Sequence, residues 1–95
     1  MERKKNIVEM ESKKNVIEIV KMPSNQFEYE EHYYFTGVNL EFNGTTIGMT
    51  GDVWEAVKFK DMTSIEAAAW CNFLKAMLGK HYEINIKTIS LTYNL

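Results

Sequence analysis

Residues 63–79 read TSIEAAAWCNFLKAMLG, a segment that carries the start, stop and periodicity signals of an α-helix. Thr63 and Glu66 have the spacing of a capping box, in which the threonine hydroxyl accepts a hydrogen bond from an unpaired amide at the helix start. Gly79 stands where a helix commonly ends. The apolar residues between these signals recur at helical spacing: Ala67, Trp70, Cys71, Leu74, Met77 and Leu78. This pattern predicts one long α-helix over residues 64–78.

The predicted helix is apolar over a wider arc than one face of a sheet would cover. Ile65 and several alanines extend this arc beyond the central apolar stripe. We therefore expect either that the sheet curls around the helix or that a second molecule covers the remainder. The second alternative predicts a homodimer whose self-interface contains Trp70, Phe73 and Met77.

Alternating residues on both sides of Asn43-Gly44 predict a β-hairpin. This dipeptide suits a type I′ turn, which needs a positive φ at both central residues. In a two-residue turn the facing pairs on one side of the hairpin are Phe42–Thr45, Leu40–Ile47 and Val38–Met49.

The segment FEYEEHYYF, residues 27–35, alternates between two kinds of side chain. One set of alternate residues is mainly aromatic: Phe27, Tyr29, Glu31, Tyr33 and Phe35. The other set is mainly acidic: Glu28, Glu30, His32 and Tyr34. The pattern predicts a strand over residues 26–35 with an aromatic face and an acidic face. A turn at Thr36-Gly37 would then join it to the Val38 strand as a meander.

Three further segments read as strands, over residues 16–22, 53–59 and 82–93. The apolar phase of the last one changes, which predicts either a β-bulge near Lys87-Thr88 or burial on both faces. Strand, helix and strand from 53 to 93 would allow a right-handed crossover between parallel neighbours. For residues 2–14 we weigh a first hairpin arm against a short basic helix, and favour the hairpin.

The fold class predicted from these elements is α+β. We expect a single domain over residues 1–95, in which a largely antiparallel sheet of about five to seven short strands packs against the one helix. The hydrophobic fraction of 45% and charged fraction of 25% are ordinary for a globular protein.

The charges are distributed unevenly along the chain. No lysine or arginine lies between Met22 and Val57, although this window holds six carboxylates and seven of the twelve aromatic residues. Both flanks are mildly basic, and the formal net charge is −2. Such an uneven charge distribution gives information about the partners that a protein binds rather than about its fold. An acidic, aromatic segment also repels phosphate, which argues against direct binding of nucleic acid through Arg3, Lys4 and Lys5.

The composition also bears on the cellular location of the protein and on the chemistry available to its cysteine. One cysteine, Cys71, excludes an internal disulfide framework, and its place in the apolar stripe favours packing over nucleophilic catalysis. The N-terminal stretch has no apolar run of the kind found in a secretory signal, and no segment reaches the length of a membrane span. We therefore expect a cytoplasmic protein. His81, just after the predicted helix, is expected to meet the negative end of its dipole.

We find no grouping of residues that predicts catalysis, and we expect neither an enzyme nor a bound cofactor. The main hypothesis is a small protein-binding module, an inhibitor or modulator, that docks an acidic and aromatic strand onto a basic, possibly nucleic-acid-binding, site of another protein. An origin in a mobile element fits the size and composition by association. The residues predicted to bind the partner are Glu28, Glu30, Glu31, His32, Tyr34, Tyr29 and Tyr33.

Three alternatives accompany this hypothesis. In the first, the aromatic set of residues 27–35 forms only the core face of the sheet, and the glutamates form its solvated face. The face formed by Glu28, Glu30 and His32 would instead bind a divalent metal or a small ligand. The chain would otherwise be a self-associating structural protein.

Overall fold

The computed structural model describes the backbone of residues 9–94 and the side chains of residues 12–92. One α-helix packs on one face of a four-stranded antiparallel sheet with the strand order β3-β2-β1-β4. The elements are β1 (Glu9–Lys21), β2 (Glu31–Glu41), β3 (Gly44–Thr50), a short 3-10 helix (Val53–Glu55), α1 (Ser64–Leu78) and β4 (Tyr82–Asn94). The α+β class is confirmed, but the described residues form four strands rather than five to seven. The helix has 15 residues, an ordinary length for a globular protein.

Strand β1 is central in the sheet and is buried on both of its faces. Ile17 and Ile19 point toward α1 and pack with Leu74 in the core. The alternate residues Val16 and Val20 point to the opposite face and are also buried. The face opposite α1 is called the helix-free face below. The predicted hairpin arm over residues 2–14 lies partly outside the described residues, and its described part, residues 9–14, belongs to β1.

Strand β4 pairs with β1 along its whole length without interruption, from Tyr82 opposite Lys21 to Asn94 opposite Glu9. The predicted bulge near Lys87-Thr88 is therefore wrong. The change of apolar phase has the other predicted cause, burial on both faces: Ile84 and Leu91 are both buried on opposite faces of the regular strand.

Strand β2 differs from the sequence prediction in where it begins and in how it continues after Phe35. It begins at Glu31, so the predicted strand over residues 26–35 starts five residues too early. The predicted turn at Thr36-Gly37 is wrong, because the pairing with β3 shifts there by one residue and the strand continues as a β-bulge. Two predicted strands are thus one bent strand.

The predicted hairpin between β2 and β3 forms, but in a different register. Glu41 pairs with Gly44, and Leu40 pairs with Thr45, which leaves Phe42 and Asn43 as the loop. The type I′ prediction fails because no non-glycine residue in the described part of the chain has a positive φ. Of the residues at the turn, 41–44, only Gly44 has a positive φ, at 145°. Since the register moves by two residues, the side chains still occupy the predicted faces.

The predicted strand over residues 53–59 is wrong. Its first part is the 3-10 helix, which begins after Asp52, whose side chain accepts a hydrogen bond of 2.9 Å from the amide of Trp54. Its last part forms only an isolated bridge, with Phe59 opposite Asn15 in β1. The predicted parallel crossover is also wrong, because every pairing in the described sheet is antiparallel.

Helix α1 starts and ends at residues with capping geometry. The Thr63 hydroxyl accepts a hydrogen bond of 3.1 Å from the Glu66 amide, and Gly79 follows the last helical residue. Trp70 lies over the sheet with its ring centroid 5.1 Å from that of Phe35 and 5.8 Å from that of Phe59. Neither helix of the described residues has the length and hydrophobicity that crossing a membrane requires.

Candidate functional site

The connection from β1 to β2 exposes the acidic and aromatic residues that the sequence singled out. Residues 22–30 form this connection. Its part from residue 24 to residue 30 is called the acidic loop below, and all seven of these residues are exposed. Phe27 is 82% exposed and Tyr29 is 89% exposed, although aromatic side chains of this size are usually at least half-buried. Glu30 in the loop and Glu31 at the start of β2 add two exposed carboxylates beside these rings.

Glu28 holds the acidic loop in its conformation. One carboxylate oxygen accepts hydrogen bonds from the amide and the hydroxyl of Ser24, at 3.0 and 2.8 Å. The other oxygen accepts one from the Asn25 side chain at 3.3 Å, and the Asn25 oxygen accepts one from the Phe27 amide. Hydrogen bonds from the Ser24 amide and hydroxyl lower the pKa of Glu28. The two exposed rings therefore extend from a loop with a defined local structure.

A shallow pocket of about 310 Å³ lies between this loop and the end of the sheet. Its walls combine apolar and charged groups: Lys21, Met22, Glu28, Tyr29 and Glu31. The tyrosine ring thus lies beside two carboxylates and one ammonium group, so the walls carry a formal charge of −1.

The loop continues directly into a charged cluster on the helix-free face. Glu18, in the middle of β1, has a side chain only 7% exposed, which is rare for a carboxylate. His32 lies on the neighbouring strand β2 and contacts Glu18 with Nδ1 at 3.3 Å and Glu30 with Nε2 at 3.2 Å. On the other side, in β4, Asn85 donates a hydrogen bond to Glu18 at 3.3 Å, and Lys87 Nζ lies 3.5 Å from it. We call these five residues the Glu18 cluster.

These contacts shift the pKa values of Glu18 and His32 in opposite directions. Burial raises the pKa of the Glu18 carboxyl, but the hydrogen bonds from His32 and Asn85 and the charge of Lys87 outweigh it, so that the pKa is lowered. The hydrogen bonds to Glu18 and then to Glu30 raise the pKa of His32. Each ring nitrogen faces a carboxylate oxygen, so the protonated ring can donate a hydrogen bond to both carboxylates, whereas a neutral ring can donate to only one.

The structure places the predicted partner-binding residues in four different environments. Glu28, Tyr29, Glu30 and Glu31 belong to the exposed surface around the loop, and His32 belongs to the Glu18 cluster. Tyr33 packs against the core, and its hydroxyl donates to Glu31 at 2.6 Å, a hydrogen bond that raises the pKa of Tyr33. Tyr34 is half-buried on the helix-free face, opposite Glu18 in β1.

The alternative that these aromatic residues form only a core face holds for part of the set. Phe35 is fully buried and Tyr33 is half-buried, both on the α1 side of the sheet. Phe27 and Tyr29 precede β2 and contribute nothing to the core, because the chain turns at residues 24–28 before the strand begins.

The predicted metal or ligand face is not assembled as one set. The Glu28 carboxylate faces Ser24 and Asn25, whereas Glu30 faces His32. Among the side chains of residues 12–92, no group of three or more histidines, cysteines, aspartates or glutamates has an arrangement that could hold a metal ion.

The predicted self-interface on α1 is only partly accessible. Trp70 is half-buried between Phe35 and Phe59, whereas Phe73 and Met77 are exposed. Phe73 lines an apolar groove of about 370 Å³ between the helix and β2. The other residues that line the groove are Val38, Glu66, Ala69 and Trp70.

Sequence reasoning missed Glu18, Asn85 and Lys87 as members of the site. One signal was present, because Glu18 is the only charged residue in the β-rich run of residues 16–20. A charge in the middle of a buried strand needs partners, but these come from strands 14 and 67 residues away.

The chain was compared with family models, with curated proteins and with solved structures, and nothing in any of the three matches it.

Proposed function

We propose that this chain is a small, non-catalytic protein-binding module that presents its acidic loop to a basic surface of a partner protein, as an inhibitor or modulator of that partner. The observation that carries the proposal is the exposure of Phe27 and Tyr29 beside Glu30 and Glu31. Exposed aromatic rings in a structured loop are a common source of binding energy at protein interfaces.

The charges around these rings support a basic partner. No lysine or arginine occurs between Met22 and Val57, so the loop and both strands of the β2–β3 hairpin carry no cationic side chain other than His32. Carboxylates around an aromatic centre would accelerate association with a cationic surface and select against acidic ones. A basic groove that normally binds nucleic acid is one surface of this kind.

The local structure of the loop also supports binding. Glu28 fixes the loop through Ser24 and Asn25, so that less conformational entropy is lost on association. His32 and Glu30 connect the end of the loop to Glu18 in the rigid sheet. A reducing, cytoplasmic location fits the single cysteine, Cys71, and is part of the same proposal.

The test uses two variants with no role in the core. Phe27→Ala combined with Tyr29→Ala removes the aromatic rings, and Phe42→Ala is the matched control, because Phe42 is fully exposed at the distant tip of the β2–β3 hairpin. The tagged chain is incubated with nuclease-treated lysate of its source cells at low and moderate salt. We expect a basic protein to be captured by the native chain and by the Phe42→Ala control, but not by the double variant.

A second pair of variants tests the charge. Glu31→Lys reverses a carboxylate beside the exposed rings, and Glu41→Lys makes the same reversal at the hairpin tip. Only Glu31→Lys should lose the captured protein, and capture by the native chain should weaken as salt rises. Capture that is unaffected by the double aromatic variant, or no capture by a well-folded native chain, would contradict the proposal.

A further inference from the structure

Strand β4 lies at the edge of the sheet and has no partner on its outer side among the described residues. It has 13 residues, a long edge for a domain of this size. A long free edge offers a row of backbone donors and acceptors to another strand. Proteins usually protect such edges with a proline, a bulge, charged side chains or a covering segment, and of these β4 carries the charged side chains of Glu83 and Lys87. The sequence of β4 contains no proline, and its pairing with β1 is free of bulges.

The side chains of β4 are complementary to those of a second copy of β4 that runs antiparallel to it, with the two copies of Asn85 opposite each other. Ile84 and Ile86 flank this residue on the α1 face of the sheet. On the helix-free face, Glu83 precedes it by two residues and Lys87 follows it by two. In an antiparallel pair of identical strands centred here, Glu83 of each copy faces Lys87 of the other, and Ile84 faces Ile86.

We propose that two copies of this chain associate through the free edges of β4, antiparallel, with Asn85 of one copy opposite Asn85 of the other. The two sheets then form one continuous sheet of eight strands, four from each copy. The two-fold axis is perpendicular to this sheet, so both α1 helices lie on the same face. This surface is separate from the acidic loop, and the proposal does not depend on the partner proposed above.

The accessibility of the charged residues agrees with this pairing. Glu83 is exposed, and the Lys87 side chain is 52% exposed even though its Nζ contacts Glu18. Both side chains are accessible to an opposite charge on a second copy, and Lys87 would then lie between its own Glu18 and Glu83 of that copy. Two Glu83–Lys87 pairs result, which contribute in the way known for cross-strand neighbours, whereas Ile84 is already buried in its own chain and adds little at the edge.

A register centred on Thr88 would pair more residues but lacks this complementarity. It would align all 13 residues of each strand. However, it would place Lys87 opposite Ile89 and Ile86 opposite Ser90. The charge pattern of β4 therefore favours the register centred on Asn85.

Disulfide trapping tests the register directly. In a Cys71→Ala background, Asn85→Cys places two thiols on directly opposite residues, whose Cα atoms lie about 4.5–5.5 Å apart in an antiparallel pair. In the same pairing, the copies of residue 88 are roughly 20 Å apart, and those of residue 90 are roughly 34 Å apart. We expect a disulfide-linked dimer from Asn85→Cys under mild oxidation, and none from Thr88→Cys or Ser90→Cys. A dimer formed preferentially by Thr88→Cys would overturn the proposed register.

Charge reversal tests the association without a covalent bond. Glu83→Lys turns both Glu83–Lys87 pairs into pairs of like charges, and we expect the dissociation constant of the dimer to rise at least about tenfold. Glu41→Lys, far from β4, is the control, and circular dichroism verifies that each variant is folded. Sedimentation equilibrium gives the constants. A native chain that is monomeric at high micromolar concentration, or a dimer unaffected by Glu83→Lys, would overturn the proposal.

Discussion

His32 Nδ1 lies 3.3 Å from a carboxylate oxygen of Glu18, and this contact joins β2 to β1 on the helix-free face. Glu18 is nearly buried, whereas half of the His32 side chain is exposed. The pair therefore connects the interior of the sheet to the surface that includes the acidic loop. A buried carboxylate is tolerated here because His32, Asn85 and Lys87 replace the water that it loses on folding.

The stability of the fold should depend on pH through this pair. The pKa of His32 is raised in the folded state, so protonation of His32 stabilises the fold below its ordinary pKa of 6.5, and this contribution is lost as pH rises through the folded pKa. The pKa of Glu18 is lowered, so its ionisation stabilises the fold above its ordinary pKa of 4.5 and is lost as pH falls through the folded pKa.

We therefore expect both contributions to be present together between the two ordinary values. Urea unfolding of the native chain should give a larger free energy of unfolding near about pH 5.5 than near about pH 8.5. The variant His32→Gln should lose most of this difference, because it cannot become charged. An unchanged pH dependence in the variant would show that His32 is not the group responsible.

The core is expected to be most sensitive at Leu74, the fully buried residue of α1. Leu74→Ala removes side-chain atoms that pack against Ile17 and Ile19 and leaves a cavity. The free energy of unfolding should fall by about 2–5 kcal/mol. Ile65→Ala on the same helix is the control, since Ile65 is 81% exposed, and it should change stability by no more than about 0.5 kcal/mol. Equal losses in the two variants would be incompatible with the described core.

The close contact between Gly48 and Thr36 is expected to make Gly48 intolerant of any side chain. A Cβ atom at Gly48 would overlap the Thr36 hydroxyl at the bulge of β2. Gly48→Ala should therefore destabilise the fold by about 1–3 kcal/mol. Gly51→Ala is the control, because no atom lies within 4 Å of the added carbon.

A second substitution identifies the cause of this loss. Thr36→Ala removes the hydroxyl and should restore much of the stability of Gly48→Ala, as thermal unfolding of the double variant would measure. Simple addition of the two losses would show that the clash lies elsewhere.

The N-terminal cap of α1 should also make a measurable contribution. Thr63→Ala leaves the Glu66 amide without its hydroxyl acceptor and should lower the free energy of unfolding by about 1 kcal/mol. Thr63→Ser retains the hydroxyl and should keep most of the stability. If alanine and serine were equivalent at this position in urea titrations, the cap would contribute nothing.

Local signals predicted the parts of the fold that depend on neighbours in sequence. The start of α1 follows from a hydrogen bond that spans three residues, between Thr63 and Glu66. The faces of the β2–β3 hairpin follow from simple alternation, which a shift of two residues leaves unchanged. The sequence also identified the acidic and aromatic segment around Tyr29 that now forms an exposed surface.

Contacts between distant residues decided the rest. The register of the hairpin depends on the bulge at Thr36, which fits only because Gly48 on the facing strand has no side chain. The Glu18 cluster exists because β1 lies between β2 and β4, an order that alternation cannot specify. The bounds of the helix and the shared faces of the hairpin could thus be predicted from the sequence, because they depend on short-range backbone geometry. Which carboxylate is buried depends instead on the order of the strands, and which rings are exposed depends on where β2 begins, so neither could be predicted from local patterns.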